Sequence, residues 1–303
     1  SQSVYKIAWH PVYVHPVREN HRFPMIKYEL LPQQLIRLGI VDENTFFEPS
    51  EGYIYDLSIH DASYLNRLLT VNLSRKEERA SGFEQSQALV HRELRITNGT
   101  VEGALSALEY GVAFNIAGGT HHAYSNRPEG FSLINDQAVA AMHLLNNVQG
   151  LTKIMIIDLD VHQGNGTAEI FAKESRVFTF SMHGEKNYPF HKPPSDLDIP
   201  LPDGCEDEEY LNNLTDSLPG LLDDFKPDFA FFQAGVDVLD EDKLGRLSLT
   251  LDGCMQRDRI VFQECKKRNI PVMVTMGGGY APDIKSILEA HCNTFRIASD
   301  LYS

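Results

Sequence analysis

The sequence predicts an α/β fold: a single domain over residues 1–303, with a central, mainly parallel β-sheet flanked by helices on both faces. Apolar runs of strand length alternate with longer segments whose apolar residues recur at helical spacing, as in a parallel sheet with crossover helices. Four of these runs end in clusters of polar residues, which predicts an active site at the carboxyl ends of the strands. With 303 residues, 42% of them hydrophobic, the chain is long and apolar enough to form one large hydrophobic core.

The elements are predicted in chain order from their start and stop signals. A first strand covers residues 4–9 and a helix covers residues 24–38. A second helix covers residues 98–110, with Asn98 as its cap and Gly111 as its stop signal. The later elements are strands over 113–117, 153–157 and 176–183, helices over 135–147, 208–225 and 252–268, and strands that begin at Phe229 and Val272.

Three further segments are interpreted from composition. Residues 75–79 are strongly charged and are predicted to form a solvated turn. Residues 184–204 are rich in proline and polar residues, which predicts a long loop of the kind that shapes sites. The acidic run 206–209 is predicted to be the first turn of a helix, where the helix dipole favours negative charge.

The composition excludes some classes of function. The formal charge of −15 argues against direct binding to nucleic acid, and it is compatible with cationic partners such as lysine-rich peptides or polyamines. The four cysteines lack motif spacing and are expected to be free thiols in a reducing compartment. Since no apolar run reaches membrane-spanning length and no signal-peptide profile begins the chain, a cytoplasmic location without membrane contact is expected. No oligomeric state is indicated.

The richest polar cluster follows the predicted strand 153–157. Its sequence is Asp158-Leu-Asp160-Val-His162-Gln-Gly-Asn165-Gly. Because side chains alternate along an extended chain, Asp158, Asp160 and His162 are predicted to leave the same face of the strand. Two buried carboxylates and an imidazole require a neutralising partner, and a divalent metal ion suits these oxygen and nitrogen ligands.

Three other strand ends carry groups suited to the same site. The adjacent histidines His121 and His122 follow the strand 113–117, and Asp237 follows the strand that begins at Phe229. A turn of three glycines before Tyr280 follows the last predicted strand. Since the carboxyl ends of parallel strands meet at one edge of a sheet, these groups are expected to lie close together.

These four segments resemble the motifs of the histone deacetylase family, within the wider arginase/deacetylase fold. The resemblance extends from about Tyr5 to the end of the chain. Segment 233–248 and the motif that contains Asn165 are most similar to class IV deacetylases and their bacterial relatives, whereas class I enzymes usually carry Asp at the position of Asn165. The resemblance implies one deacetylase-like catalytic domain and the residue roles that follow.

The resemblance implies that Asp160, His162 and Asp237 are metal ligands. Three protein ligands leave coordination positions open, which is typical of a catalytic site. Zn²⁺ is the expected cofactor, and the oxygen-rich ligand set is also compatible with Fe²⁺, Co²⁺ or Mn²⁺. The alternative is a set of buried acids in an ordinary hydrogen-bond network.

The resemblance also implies the catalytic residues. His122 corresponds to the general base that later protonates the leaving amine, and Tyr280 to the phenol that hydrogen-bonds the oxyanion. His121 is expected to act electrostatically and to be oriented by Asp158. Asn165 is expected to orient His122, and because a neutral amide stabilises an imidazolium less than a carboxylate does, it predicts a lower pKa for His122.

The substrate tunnel is predicted by the same resemblance. Phe131 and Tyr188 correspond to its aromatic walls, although core packing would explain either aromatic alone. Leu244 is expected to line the inner pocket, with Gly245 behind it leaving room for a longer acyl group. The glycines assigned to substrate binding are Gly119, Gly130 and Gly278.

Two further sets of residues match the family. Arg22 and His60 loosely match positions near the internal cavity and the rim. A structural potassium ion is expected beneath the catalytic metal, held mostly through backbone carbonyls of Asp158, Asp160, His162, Ser181 and Met182.

The resemblance therefore implies a zinc-dependent hydrolase that removes acyl groups, acetyl or longer, from lysine side-chain amides of peptides or proteins. Two alternatives remain open. One is a deacetylase of acylated polyamines or other small amides, which an acidic or narrowed rim would favour. The other is a non-catalytic acyl-lysine-binding scaffold, which would be expected to have lost one of the residues above.

Overall fold

The apolar runs of the sequence form strands of a single parallel sheet. The structure is a computed structural model that describes residues 5–303, so Val4 of the predicted first strand lies outside the described residues. The strands within this range are β1 (Lys6–Ala8), β2 (Phe46–Phe47), β3 (Val112–Asn115), β4 (Ile154–Asp158), β5 (Val177–Gly184), β6 (Leu197–Leu201), β7 (Phe229–Gln233) and β8 (Val272–Thr275).

Helices connect the strands and cover the sheet. Those of residues 5–303 are α1 (Lys27–Arg37), α2 (Ala62–Leu69), α3 (Arg75–Ser81), α4 (Gln87–Tyr110), α5 (Asp136–Asn147), α6 (Asn165–Ile170), α7 (Asp207–Phe225), α8 (Leu251–Lys266) and α9 (Ile284–Tyr302). They pack in two groups, α4 against α5, and the series α1, α9, α8, α7. The predicted α/β class with helices on both faces is confirmed, and none of these helices is long and apolar enough to cross a membrane.

The strand order places the polar strand ends side by side. The order is β2-β1-β3-β8-β7-β4-β5-β6, with every neighbouring pair parallel. Strands β3, β4, β7 and β8 are buried throughout, which explains why they read as continuous apolar runs rather than alternating ones. The register aligns the strand-end residues Asn115, Thr275, Gln233, Asp158 and Ser181 in one row.

The predicted start of the helix before Tyr110 is wrong. Helix α4 begins about three turns before Asn98, at Gln87, and its cap is Ser86, whose side chain accepts a hydrogen bond from Leu89 N. Asn98 lies inside the helix, where Nδ2 donates to the carbonyls of Ser50 and Gly52 in a neighbouring loop. Both Ser86 and Asn98 are residue types that suit a helix cap, and the helix continues through Asn98. The predicted end is confirmed, because Gly111 adopts the left-handed conformation with φ of +88°.

Two segments predicted to be irregular contain regular structure. Residues 75–79 form helix α3, because Ser74 and Glu77 make a reciprocal capping box at its start. The predicted loop 184–204 contains β6, an edge strand that pairs with β5. The prediction for the acidic run 206–209 is confirmed, since Glu206 is the residue before the first turn of α7.

Candidate active site

Three side chains at the ends of β4 and β7 converge on one point. Ligand atoms of Asp160, His162 and Asp237 lie within 4.8 Å of one another, and all three residues are buried. Nδ1 of His162 is 3.2 Å from Oδ1 of Asp160 and 3.2 Å from Oδ2 of Asp237. The alternation predicted along the strand end therefore brings these groups to one side of the chain.

The backbone of the neighbouring loops holds the two carboxylates in place. Gly278 N donates to Oδ2 of Asp160 at 2.8 Å, and Val161 N donates to Oδ1 of Asp237 at 3.0 Å. A Cβ atom at Gly235 would collide with Oδ2 of Asp160, and one at Gly278 would collide with Oδ2 of Asp237. Glycine is required at both positions because the backbone runs against the carboxylates.

The electrostatics of this cluster favour a cation. Burial, followed by the charge of Asp160, raises the pKa of Asp237 to about 7. Burial alone would lower the pKa of His162, but hydrogen bonds to both carboxylates raise it to about 10. The carboxylates thus draw positive charge to the point where the three ligand atoms meet. Two carboxylate oxygens and one imidazole nitrogen form a donor set that suits a divalent ion such as Zn²⁺.

The adjacent histidines have different partners. Nδ1 of His121 lies 2.5 Å from Oδ2 of Asp158, and Nδ1 of His122 lies 2.6 Å from Oδ1 of Asn165. Burial lowers the pKa of His121, but Asp158 more than offsets this, so the pKa is raised. Burial and the neighbouring histidines hold the pKa of His122 well below its usual value. The pairs expected from the sequence are the pairs that the structure brings together.

Hydrogen bonding fixes the tautomer of His122. Nδ2 of Asn165 donates to Oε1 of Glu129 at 3.2 Å, so Oδ1 is the amide atom that faces His122. Because a carbonyl oxygen only accepts, Nδ1 of His122 carries the proton. Nε2 of the neutral ring therefore keeps its lone pair for a proton from another donor.

Glu129 is a site residue that sequence reasoning missed. Its carboxylate accepts hydrogen bonds from Asn165, from the hydroxyl of Tyr188 at 2.5 Å and from Nε of Arg127 at 3.0 Å. The side chain is 19% exposed. The partners lie 36 and 59 positions away along the chain for Asn165 and Tyr188, so only the position next to Gly130 marked this residue in the sequence.

The loop that carries the histidines is anchored by Asp136, which was not predicted. Both carboxylate oxygens of Asp136, the first residue of α5, accept from Gly119 N, and Oδ1 accepts from Thr120 N at 2.9 Å. Thr100 Oγ1 in α4 donates to the same carboxylate at 2.7 Å. The loop is thus tied to two helices before it reaches His121.

Tyr280 is held over the site by Asp242, a third acid that was not predicted. Its backbone N donates to Oδ1 of Asp242 at 2.6 Å, while Oδ2 of Asp242 accepts from Leu244 N and Gly245 N. The Tyr280 ring lies edge-on to His162, with the centroids 6.2 Å apart. Its hydroxyl makes no hydrogen bond to another residue within 5–303. It is therefore available to a ligand.

Two buried cations support the strand-end loops from behind, and neither was predicted. Nη1 of Arg257 donates to the carbonyls of Leu159 and Gly235, at 3.2 and 2.6 Å. Nζ of Lys27 donates to the carbonyl of Gly277 at 3.0 Å, and burial lowers the pKa of Lys27 to about 8. These carbonyls belong to the loops that carry the acids and Tyr280.

An outer pocket of about 780 Å³ leads from the surface to this cluster. Its lining includes the predicted tunnel residues Phe131, Tyr188, Gly130 and Leu244, and Tyr280 lies at its floor together with His122 and His162. A smaller inner cavity contains the remaining predicted glycines, Gly119 and Gly278.

The structure differs from the expectations for Leu244 and Gly245. Leu244 lines the outer pocket and not the inner cavity. Gly245 leaves no extra room for an acyl group, because a Cβ atom there would collide with the carbonyl of Asp237. Its backbone N is bound to Asp242 at 2.8 Å, which draws this loop against the site.

Phe131 is fixed by an aromatic cluster. Its ring lies 5.1 Å from Phe23 and 5.4 Å from Phe83, and its backbone N donates to Ser81 O at 2.9 Å. Its φ of +65° is unusual for a residue with a large side chain, and these contacts hold it there. Tyr188 is held by the hydrogen bond from its hydroxyl to Glu129, and its ring centroid lies 5.2 Å from that of His122.

The two loosely matched positions, Arg22 and His60, lie in different places. Arg22 is exposed and lines the outer pocket. His60 is buried away from both cavities, where Nδ1 donates to Tyr124 O and Nε2 accepts from Asn135 N. His60 links the segment that follows the histidines to the start of α5, and it lines neither the outer pocket nor the inner cavity. Burial lowers its pKa to about 4.

The residues predicted for potassium lie on neighbouring strands. Asp158 at the end of β4 is the register partner of Ser181 in β5, and Met182 follows it. Asp160 and His162 are in the turn that follows β4. The potassium ion itself stays a prediction, as does the assignment to class IV.

Comparison with known proteins identifies relatives over most of the chain. The profile of the histone deacetylase domain matches residues 21–295. An uncharacterized protein of Picosynechococcus sp. is 40% identical over 300 residues, which cover 98% of this chain and 99% of that protein. Histone deacetylase 2 of Arabidopsis thaliana is 31% identical over 274 residues, which cover 87% of this chain and 70% of that protein.

Solved structures agree with the observed architecture. A histone deacetylase homologue from Aquifex aeolicus is similar with a TM-score of 0.82 and 27% identity, covering 98% of this chain and 84% of that chain. The HD domain of HDA15 is similar in fold, with a TM-score of 0.78 and 20% identity, covering 96% of this chain and 90% of that chain.

Proposed function

The chain belongs to the histone deacetylase family of hydrolases, and we propose that it removes acyl groups from lysine side-chain amides with the help of a bound divalent metal ion. One observation carries the proposal: a pocket lined by Phe131 and Tyr188 ends at a convergent Asp/His/Asp cluster with a neutral His122 beside it. A long, unbranched acylated side chain suits such a pocket.

The metal ligands in this proposal are Asp160, His162 and Asp237. Their donor atoms converge, and the pKa values of the cluster reflect its demand for positive charge. When bound, Zn²⁺ supplies Lewis acidity, which polarises a carbonyl and lowers the pKa of a water molecule from 15.7 to roughly 7. Fe²⁺, Co²⁺ and Mn²⁺ remain compatible with the same donors.

His122 is the general base in the proposed reaction. Since Nδ1 carries the proton that binds Asn165, Nε2 accepts a proton from the attacking water. The low pKa of His122 keeps the ring neutral and competent at neutral pH. Once protonated, the same nitrogen donates to the amine as it leaves the tetrahedral carbon. His121, raised in pKa by Asp158, adds positive charge beside the reaction centre.

Tyr280 is the proposed oxyanion donor. Its hydroxyl has no partner within residues 5–303, and the ring stands at the floor of the pocket against His162. The turn beneath it is fixed through Asp242, so the hydroxyl approaches the acyl carbonyl without reorganisation. Both acetyl and longer acyl groups remain within the proposal.

The two alternatives are less well supported. A non-catalytic scaffold would not need the hydrogen-bonded pairs that orient His121 and His122. A polyamine deacetylase would be expected to present acids at the rim, whereas Arg22, Lys76 and Arg127 line the outer pocket.

Turnover of a substrate panel by zinc-loaded protein tests the proposal, with Tyr280→Phe as the matched variant. The panel contains an acetyl-lysine peptide, a long-chain acyl-lysine peptide and an acetylpolyamine. We expect turnover of at least one peptide and a loss on the order of 10²–10³ in the variant. Turnover of the acetylpolyamine alone would mean that the substrate is an acylated polyamine and not an acyl-lysine. No turnover by folded, metal-bound protein would reject the enzyme assignment.

A further inference from the structure

The mouth of the outer pocket is basic, although the protein as a whole is acidic. The chain has a formal charge of −15. The Lys, Arg, Asp and Glu residues that line the pocket are Arg22, Lys76, Arg127 and Glu129, three cations and one anion. The sign of charge therefore reverses at the entrance to the site.

Two of these cations have no internal partner. Arg22 and Lys76 are exposed, and neither forms an ion pair with another residue in the described part of the chain. The acid next to Lys76 in α3, Glu77, is already paired with Arg67 at 2.8 Å. These two charges are therefore free to interact with a ligand.

The single acid of the pocket does not cancel them. Glu129 is paired with Arg127 at 3.0 Å and is hydrogen-bonded on its inner side by Asn165 and Tyr188. Arg127 is held in turn over the ring of Tyr124, 3.7 Å from its centroid. Glu129 and Arg127 thus neutralise each other, and a net positive charge remains from Arg22 and Lys76.

We propose that the mouth of the pocket selects acyl-lysine substrates that carry carboxylate side chains close to the acylated lysine, and that it disfavours cationic substrates such as acylpolyamines. This inference rests on the proposed deacylase function and names the substrate class of the same site. Arg22 and Lys76 are the specificity-determining residues, and they contact the substrate outside the tunnel.

Because salt screens charges over a short distance, the pocket mouth can prefer anionic substrates although the protein as a whole is acidic. At an ionic strength of roughly 0.15 M the Debye length is about 8 Å, so the acidic surface elsewhere is largely screened from a ligand at the mouth. The two cations act within that distance. Each exposed charge pair contributes modestly, and two together correspond to about a three- to tenfold preference between matched substrates.

The test uses three acetyl-lysine peptides of equal length that differ only in the residues flanking the acylated lysine: Glu, Gln or Lys. We expect kcat/KM at roughly 0.15 M salt to be about three- to tenfold higher for the Glu-flanked than for the Gln-flanked peptide, and lowest for the Lys-flanked peptide. Raising the salt to about 1 M should remove most of the difference.

Variants separate the mouth from the catalytic groups. The double variant Arg22→Gln/Lys76→Gln should lose the preference for Glu, so that the ratio of kcat/KM between the Glu-flanked and the Gln-flanked peptide falls to about one. Arg75→Gln is the matched control, because Arg75 is an exposed cation on the same helix as Lys76 but does not line the pocket. It should keep the wild-type order of the three peptides.

The outcomes distinguish this inference from the function on which it rests. Turnover of all three peptides without a flank preference, or a preference that survives in the double variant, would overturn the basic-mouth inference and leave the deacylase intact. Faster turnover of the Lys-flanked peptide or of acetylpolyamine would overturn it as well. No turnover of these three peptides or of their long-chain acyl counterparts would reject the deacylase itself and the inference with it.

Discussion

Nδ2 of Asn165 donates a hydrogen bond to Oε1 of Glu129 at 3.2 Å, while Oδ1 of the same amide lies 2.6 Å from Nδ1 of His122. The carboxylate of Glu129 is therefore linked to His122 by hydrogen bonds through an intervening neutral amide. This arrangement orients the imidazole firmly without placing a full negative charge beside it. The proton affinity of His122 stays low, and its geometry is still determined by a charged group.

Replacing Glu129 by Gln should weaken catalysis through this chain of contacts. The variant keeps the shape of the side chain but removes the charge that strengthens the hydrogen bonds from Asn165 and Tyr188. We expect kcat/KM to fall about five- to thirtyfold, and the acid limb of the pH profile to move to lower pH, because less negative charge remains near His122. Steady-state kinetics across pH measure both effects.

Glu169→Gln provides the matched control for that experiment. Glu169 is a half-buried acid whose side chain accepts hydrogen bonds from Ser125, and within residues 5–303 this side chain makes no hydrogen bond to Asn165 or Tyr188. It should leave the pH profile unchanged. An unshifted acid limb in Glu129→Gln would show that the carboxylate serves packing alone.

Asn165→Asp should shift the acid limb in the opposite direction. The general base must be neutral, and its low pKa in the wild type keeps it neutral as the pH falls below 6.5. A carboxylate beside Nδ1 stabilises the imidazolium, so the pKa of His122 rises. As the pH is lowered, the variant should therefore lose activity at a higher pH than the wild type does. The pH dependence of kcat/KM measures this upward shift of the pKa of His122.

The proximity of Glu129 complicates the single variant, because two carboxyl groups would then share a site. The double variant Asn165→Asp/Glu129→Gln removes the repulsion and should retain the raised pKa. If neither protein shows an upward shift, the base is not the histidine that Asn165 contacts.

Gly235→Ala should impair metal binding with little effect elsewhere. The added methyl group would collide with Oδ2 of Asp160 and displace the carboxylate from its ligand position. We expect metal affinity to fall by about ten- to a hundredfold, measured by competition with a chelator. Gly220→Ala is the control, since nothing lies within 4 Å of the new methyl group in α7, and it should bind metal like the wild type. Wild-type affinity in Gly235→Ala would contradict the assignment of Asp160.

The sequence was sufficient for the parts of the site that follow a local rule. Alternation along a strand end predicted that Asp158, Asp160 and His162 would leave one face, and parallel strands brought Asp237 and Tyr280 to the same edge. The same rules predicted the sheet, because strands buried on both faces are continuous apolar runs.

The parts that were missed depend on contacts between distant loops. Glu129, Asp136 and Asp242 each bind backbone or side-chain groups of other segments, and no periodicity marks an acid for such a role. Strand β6 was hidden because an edge strand need not be apolar, and its residues are mostly half-buried. The error at Asn98 arose because a residue that suits a helix cap also binds a neighbouring loop from within a helix.

Acid should destabilise the protein through His60. The pKa of His60 is about 4 in the folded protein and near 6.5 when exposed, so between these values the unfolded chain binds more protons. The free energy of unfolding therefore falls as the pH falls from 6.5 to 4. Above pH 6.5 His60 is neutral in both states, and the protein has its full stability with respect to this group. Protonation also removes the lone pair that accepts from Asn135 N. At pH 5 the loss due to His60 should be about 2 kcal/mol.

Urea unfolding at pH 7.5 and pH 5.0 measures this loss, with His60→Gln as the variant. Glutamine can donate to Tyr124 O and accept from Asn135 N but does not titrate, so its unfolding free energy should change less between the two pH values. His91→Gln is the control, because His91 is exposed, and its pH dependence should match the wild type. An identical drop in stability for wild type and His60→Gln would mean that other groups cause the acid sensitivity. His183, whose pKa burial also lowers to about 4, would then be the next histidine to replace.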